Sequence, residues 1–132
     1  MKIKGLHHAA ISVKNLEKSI QFYSDTFGFE EIQRFERTDL HGKAVFLQLG
    51  DTFIEIWQIE NVVGSHESNK GLNVTGIRHI ALAVDDLPSI YNKLKSSTNI
   101  SEPIKGASGK MISFLTDPDG ISIELYEVGI GT

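Results

Sequence analysis

Two stretches, GLHHAAISV at Gly5–Val13 and GIRHIALAV at Gly76–Val84, constrain this chain more than any other feature, because each opens the same longer pattern. In both, a histidine is followed by a valine five residues on, and within three more by a leucine that begins a helical stripe: His8, Val13 and Leu16, then His79, Val84 and Leu87. A half-domain written twice has to solve the same burial problem twice, so the repeat governs how every later element is read.

Side chains alternate along a strand. In the first copy His8, Ala10 and Ser12 therefore share one face, and Ala9, Ile11 and Val13 share the other with His7. Leu16, Ile20, Tyr23 and Phe27 follow at helical spacing, with Asn15 as N-cap and Gly28 as C-cap. The segments 29–37, 43–49 and 52–58 read as three strands, the last two joined by a tight turn at Gly50-Asp51. After the Gly-, Ser- and Asn-rich stretch 61–75, read as a linker, the plan recurs: a strand over 76–84, a helix from about Asp86 with Leu87, Ile90, Tyr91 and Leu94 as its stripe, a weak strand within 100–106, a strand over 110–116, a DPDG turn at 117–120 and a strand over 121–127. The expected fold is α+β: one domain spanning 1–132, built from two paired βαβββ modules, about 5–60 and about 76–128, that form a cup-shaped, half-open mixed β-sheet with the helices outside.

Composition removes several function classes. A formal charge of -4 offers no basic field for nucleic acid or an anionic membrane surface. With no cysteine, disulfides, dithiol redox chemistry and thiolate metal sites are excluded, so any metal must be held by nitrogen and oxygen. MKIKGLHH has no apolar signal core, and no later stretch nears the roughly 20 apolar residues of a membrane span, so a cytoplasmic protein is expected.

Four strand residues are out of place in a plain core: His8, Glu55, His79 and Glu124. Ala81 and Ala83 share the face of His79; Ser122 and Tyr126 share that of Glu124; Phe53 and Trp57 share that of Glu55. Each ionisable residue thus lies opposite the face that packs on a helix. A lone strand histidine is more often a hydrogen-bonded structural residue than a ligand, and a glutamate near a strand end is more often solvated. The joint pattern outweighs those single readings, because each half supplies a histidine from its first strand and a glutamate from its last, at separations of 47 and 45 residues. Two carboxylates buried together need a countercharge. Two neutral imidazoles and two carboxylates around a divalent ion make a neutral set, and N/O ligation suits Zn, Ni, Co, Fe or Mn better than calcium. His7 is out of phase and corresponds to Arg78; His41 and His66 fall in loops and read as solvated.

LHHAAISVKNLEKSIQFYSDTFGF, RHIALAVDDL and FLTDPDGISIEL, in that order and covering nearly the whole chain, resemble the vicinal oxygen chelate superfamily of glyoxalase I, methylmalonyl-CoA epimerase, extradiol dioxygenases and bleomycin-resistance proteins. The resemblance implies the paired-module cup, a homodimer, and metal ligation at His8, Glu55, His79 and Glu124. Glutamate at position 55 matches the glyoxalase I set, whereas the epimerase carries glutamine there. Lys110 matches a lysine that helps to bind the anionic thiol cofactor. Two positions depart from glyoxalase I: Ser12 stands where it has arginine, and IWQIEN lacks its glutathione-contacting asparagine unless Asn61 substitutes.

The implied activity is that of a metal-dependent lyase or isomerase acting on a small molecule, in some members a thiol adduct. One divalent ion grips two neighbouring oxygens and stabilises an enediolate, while Glu124 or Glu55 moves the proton. The alternatives are an epimerase of CoA thioesters and a metal-free protein that sequesters an aromatic ligand against Phe53, Trp57 and Tyr126.

Overall fold

The computed structural model describes residues 1–64 and 71–129. His66, and with it part of the stretch read as a linker, lies outside the described residues. The chain divides into two compact units, Met1–Gly64 and Ser65–Thr132, a division that falls within that stretch.

The first unit runs β1 (His8–Ser12), α1 (Leu16–Phe27), β2 (Glu30–Arg37), a 3-10 turn (Thr38–Leu40), β3 (Gly42–Leu49) and β4 (Thr52–Ile59). Its sheet has the order β1-β4-β3-β2, with β1 parallel to β4 and the other neighbours antiparallel. The second unit repeats the order with β5 (Ile80–Val84), α2 (Leu87–Leu94), β6 (Ile104–Lys105), β7 (Met111–Thr116) and β8 (Ser122–Glu127), arranged β5-β8-β7-β6. The expected α+β class and the duplicated βαβββ plan are therefore what the chain adopts. Each unit is an open, mixed, four-stranded sheet with one helix.

The local chemistry explains the boundaries. Asn15 accepts from the Lys18 amide at the start of α1, and Gly28 ends it at φ 86, a conformation that only glycine adopts without steric cost. Asp86 caps α2 in the same way by accepting from the Ser89 amide, with Pro88 in the first turn. A two-residue turn links β3 to β4, with Leu49 paired to Thr52 and Gly50 at φ 58. Between Pro103 and Gly106 only two residues of β6 pair with β7, which is why that strand left so faint a pattern.

A further parallel between the halves ties helix to sheet. Gln58 accepts from the Leu16 amide at 2.6 Å, and Glu127 accepts from the Leu87 amide at 2.9 Å. Each satisfies a backbone donor of the first helical turn that has no partner within its helix, and the carboxylate of Glu127 also meets the positive end of the α2 dipole. Both acceptors stand three residues beyond the glutamates of interest, Glu55 and Glu124. At the outer edge, Arg34 of β2 is bonded to Glu17 of α1 and to Glu31, and its guanidinium holds the Glu17 carboxyl below the usual carboxylate range.

The apolar faces form where alternation placed them. Ile11, Val13, Leu16, Tyr23, Ile54 and Ile56 are buried in the first unit, and Leu87, Leu94, Leu115, Ile123 and Leu125 in the second. Among the described residues no helix is long and apolar enough to cross a membrane.

Candidate functional site

The register of the two parallel strand pairs builds the site. In the first unit Ala10 of β1 stands beside Glu55 of β4; in the second Ala81 of β5 stands beside Glu124 of β8. The histidine two residues before each alanine therefore lies diagonally from the glutamate on the same face, a distance that a long side chain spans. His8 Nε2 is 3.7 Å from Glu55 Oε2, and His79 Nε2 is 2.6 Å from Glu124 Oε2. Repetition in sequence has become repetition in space within each half: one imidazole facing one carboxylate, through the same pair of atoms.

Phe46 and Phe114 complete the pattern, and neither was singled out from the sequence. Phe46 of β3 is paired with Glu55, and Phe114 of β7 with Glu124. Each phenyl ring meets its histidine edge to face, at 5.2 Å and 80° for His8 and at 5.4 Å and 79° for His79. Such contacts hold a ring in one orientation. The signal was present in the Phe-Leu dipeptides at 46–47 and 114–115, the same step of the repeat, but both read as ordinary strand core.

The two halves differ in how the carboxylate is held. Trp57 donates its indole N–H to Glu55 Oε1 at 2.5 Å, so both oxygens of Glu55 face a neighbour. Phe35 packs against both Phe46 and Trp57, making an aromatic row on the Glu55 face of the sheet. In the second unit, His79 is the partner of Glu124 among the described residues, and Glu124 is 8% exposed. Tyr126, on the same face, exchanges a hydrogen bond of 2.7 Å with Ser108.

His7 is placed differently from what strict alternation implies. The strand begins at His8, so His7 is not bound by its phase; its ring stacks on Phe53 at 4.9 Å and 4°, and its Nδ1 is 2.8 Å from His8 Nδ1. Arg78, at the matching place, donates instead to the carbonyls of Gly71, Thr75 and Gly76. His41 is exposed, as read from the sequence, with Nδ1 3.7 Å from Glu60 Oε2. Lys110 is exposed at the turn before β7, where its carbonyl accepts from the Gly106 amide at 2.8 Å.

Imidazole nitrogens and carboxylate oxygens are the donor types that first-row divalent cations take. Each half brings two such side chains together, and among the described residues no group of three or more His, Cys, Asp or Glu gathers as a ready-made cation site. Glu55 and Glu124 are paired with histidines and, among the described residues, with neither lysine nor arginine, which leaves the balancing of their charge open to a cation.

Fold and site together define a class: a duplicated βαβββ protein carrying one imidazole–carboxylate pair on each module. The chain belongs to the Glyoxalase/Bleomycin resistance protein/Dioxygenase superfamily, whose model matches residues 5–125. It is 32% identical over 125 residues to a probable lactoylglutathione lyase of Vibrio cholerae, covering 91% of this chain and 88% of the relative. It is 31% identical over 131 residues to the mitochondrial methylmalonyl-CoA epimerase of Homo sapiens, covering 92% and 73%. Among solved structures, a glyoxalase family protein from Enterococcus faecalis superimposes with a TM-score of 0.83 at 27% identity, covering 96% of this chain and all of that one.

Proposed function

We propose that this protein is a cation-dependent lyase or isomerase that moves a proton on the carbon beside a carbonyl, with His8, Glu55, His79 and Glu124 together holding one divalent ion. The observation that carries the reading is the identical register of the two pairs, Ala10 beside Glu55 and Ala81 beside Glu124. The pairs together supply two imidazole nitrogens and two carboxylates, the donor set that such an ion takes. The donor set fits Zn, Ni, Co, Mn or Fe, being two nitrogens and two carboxylates with no sulfur. Bound there, such an ion polarises substrate oxygens and offsets the negative charge that develops on them when the neighbouring C–H loses its proton.

The residues divide the remaining work. Glu55, fixed by Trp57 on one oxygen and facing His8 with the other, serves as a stationary ligand. Glu124 has His79 as its partner among the described residues, and its carboxylate takes the proton from the substrate carbon and returns it to the neighbouring one. The likeness to proteins named as a lactoylglutathione lyase and a methylmalonyl-CoA epimerase supports proton transfer next to a carbonyl as the reaction class. Glutamate at position 55 favours the lyase type, acting on a thiol adduct whose anionic part is met by Lys110. Ser12 and the sequence after Glu55 point to a thiol other than glutathione, or to a different grip on it. A homodimer in the cytoplasm completes the reading.

The aromatic row of Phe35, Phe46 and Trp57 supports a second reading, the sequestration of an aromatic small molecule without turnover. Incubation in D2O with the thiol adduct that rearranges to lactoylglutathione, and separately with methylmalonyl-CoA, separates the two by NMR. The enzyme reading expects deuterium to enter beside the carbonyl of one of them when the protein is cation-loaded, and to stop entering after chelation. Exchange at equal rates with and without cation contradicts it.

A further inference from the structure

The contact that the proposed site does not use is the one between His7 and His8. Their Nδ1 atoms are 2.8 Å apart, and two imidazole nitrogens at that distance require one proton between them, with one ring donating and the other accepting. His8 is thus engaged at both nitrogens, Nδ1 toward His7 and Nε2 toward Glu55. His7 is itself held, since its ring lies parallel to Phe53 at 4.9 Å and edge-on to Phe46 at 6.2 Å. Phe46 also meets His8, so one phenyl ring braces both histidines.

We infer that His7 is a positioning residue for His8: it accepts the Nδ1 proton of His8, fixes the ring and tautomer, and leaves Nε2 as the atom presented beside Glu55. The inference deepens the proposed function and rests on it for its consequence. A ligand histidine whose outer nitrogen is bonded is a better and better-oriented donor, and loss of such an outer partner typically weakens cation binding about 10–100-fold. The device belongs to the first half alone, because Arg78 at the matching position is directed to backbone carbonyls.

His7→Phe keeps a ring over Phe53 and removes the acceptor; His7→Asn restores an acceptor at the position of Nδ1. His7 is exposed and precedes β1, so neither change disturbs the core. Two measurements decide the matter. In cation-free protein, 15N NMR of the His8 ring is expected to show a protonated, hydrogen-bonded Nδ1 that is altered by His7→Phe and largely recovered by His7→Asn. In a chelator competition with Co2+, His7→Phe is expected to raise the dissociation constant about 10–100-fold and His7→Asn to bring it back near the wild-type value. His8 ring signals unchanged by His7→Phe would overturn the inference, as would equal Co2+ affinity in a wild type that binds the ion. A wild type that takes up no Co2+ while its His8 signals respond to His7 would uphold the positioning role and remove the proposed function.

Discussion

Glu124→Gln is expected to lower kcat by about 10²–10⁴-fold with little change in KM, the loss that follows when a general base keeps its shape and loses its proton affinity. The proposed function assigns the proton transfer to this carboxylate and ligation alone to Glu55. Glu124 sits at 8% exposure with His79 as its partner among the described residues, while Glu55 is gripped by the Trp57 indole as well as facing His8. The two glutamines should therefore fail differently. Glu55→Gln keeps an oxygen donor but removes a charge from the ligand set, so its main effect should be weaker cation affinity that added metal partly rescues. Glu124→Gln should not be rescued at any cation concentration. Steady-state kinetics across a Co2+ or Ni2+ series reads both outcomes. Normal turnover in Glu124→Gln would rule out the assigned proton transfer.

One residue along β4 the expected phenotype reverses. Ile56 is fully buried on the face opposite Glu55 and Trp57, so Ile56→Ala removes apolar volume from the core of the first unit. The expected loss is about 2–5 kcal/mol, which for a chain of this size lowers the melting temperature on the order of 10 °C. Where that variant remains folded, its cation affinity and kcat should stay near wild type, because the alternation that buries Ile56 keeps it out of the site. Glu55→Gln should do the opposite, leaving the melting temperature nearly unmoved. Calorimetric melting of the two proteins side by side checks the pair of outcomes. An Ile56→Ala protein as stable as wild type would contradict the placement of this strand.

Much of this was legible in the sequence because the information is periodic and written twice. The two-residue period of the strands set the faces, so His8, Glu55, His79 and Glu124 could be separated from Ile11, Ile54, Ile56, Ile123 and Leu125 without coordinates. Caps at Asn15 and Gly28 carry strong local chemistry and marked the first helix, while the second was read as starting near Asp86, which the structure shows to be its N-cap. What escaped the sequence lies where periodicity stops. His7 precedes the first paired residue and is free of the strand's phase, so reading it as out of register failed. Phe46 and Phe114 are ordinary strand residues until pairing sets them beside the glutamates, which is cross-strand knowledge. Gln58 and Glu127 act on helix amides forty or more residues before them in the chain, a partnership no local pattern encodes. The shortness of β6 likewise reflects Pro103 and Gly106 acting on pairing, not a missing hydrophobic pattern.

The most direct test of the claim that both halves serve one ion is a calorimetric titration of cation-free protein with Co2+, repeated on His8→Ala and His79→Ala. A shared site yields about one tight equivalent per chain in the wild type, and its loss in either variant, because removing a donor from one half weakens the hold on the same ion. Two independent equivalents, or an unchanged equivalent surviving either substitution, would mean that the pairs act separately and that the central proposal is wrong.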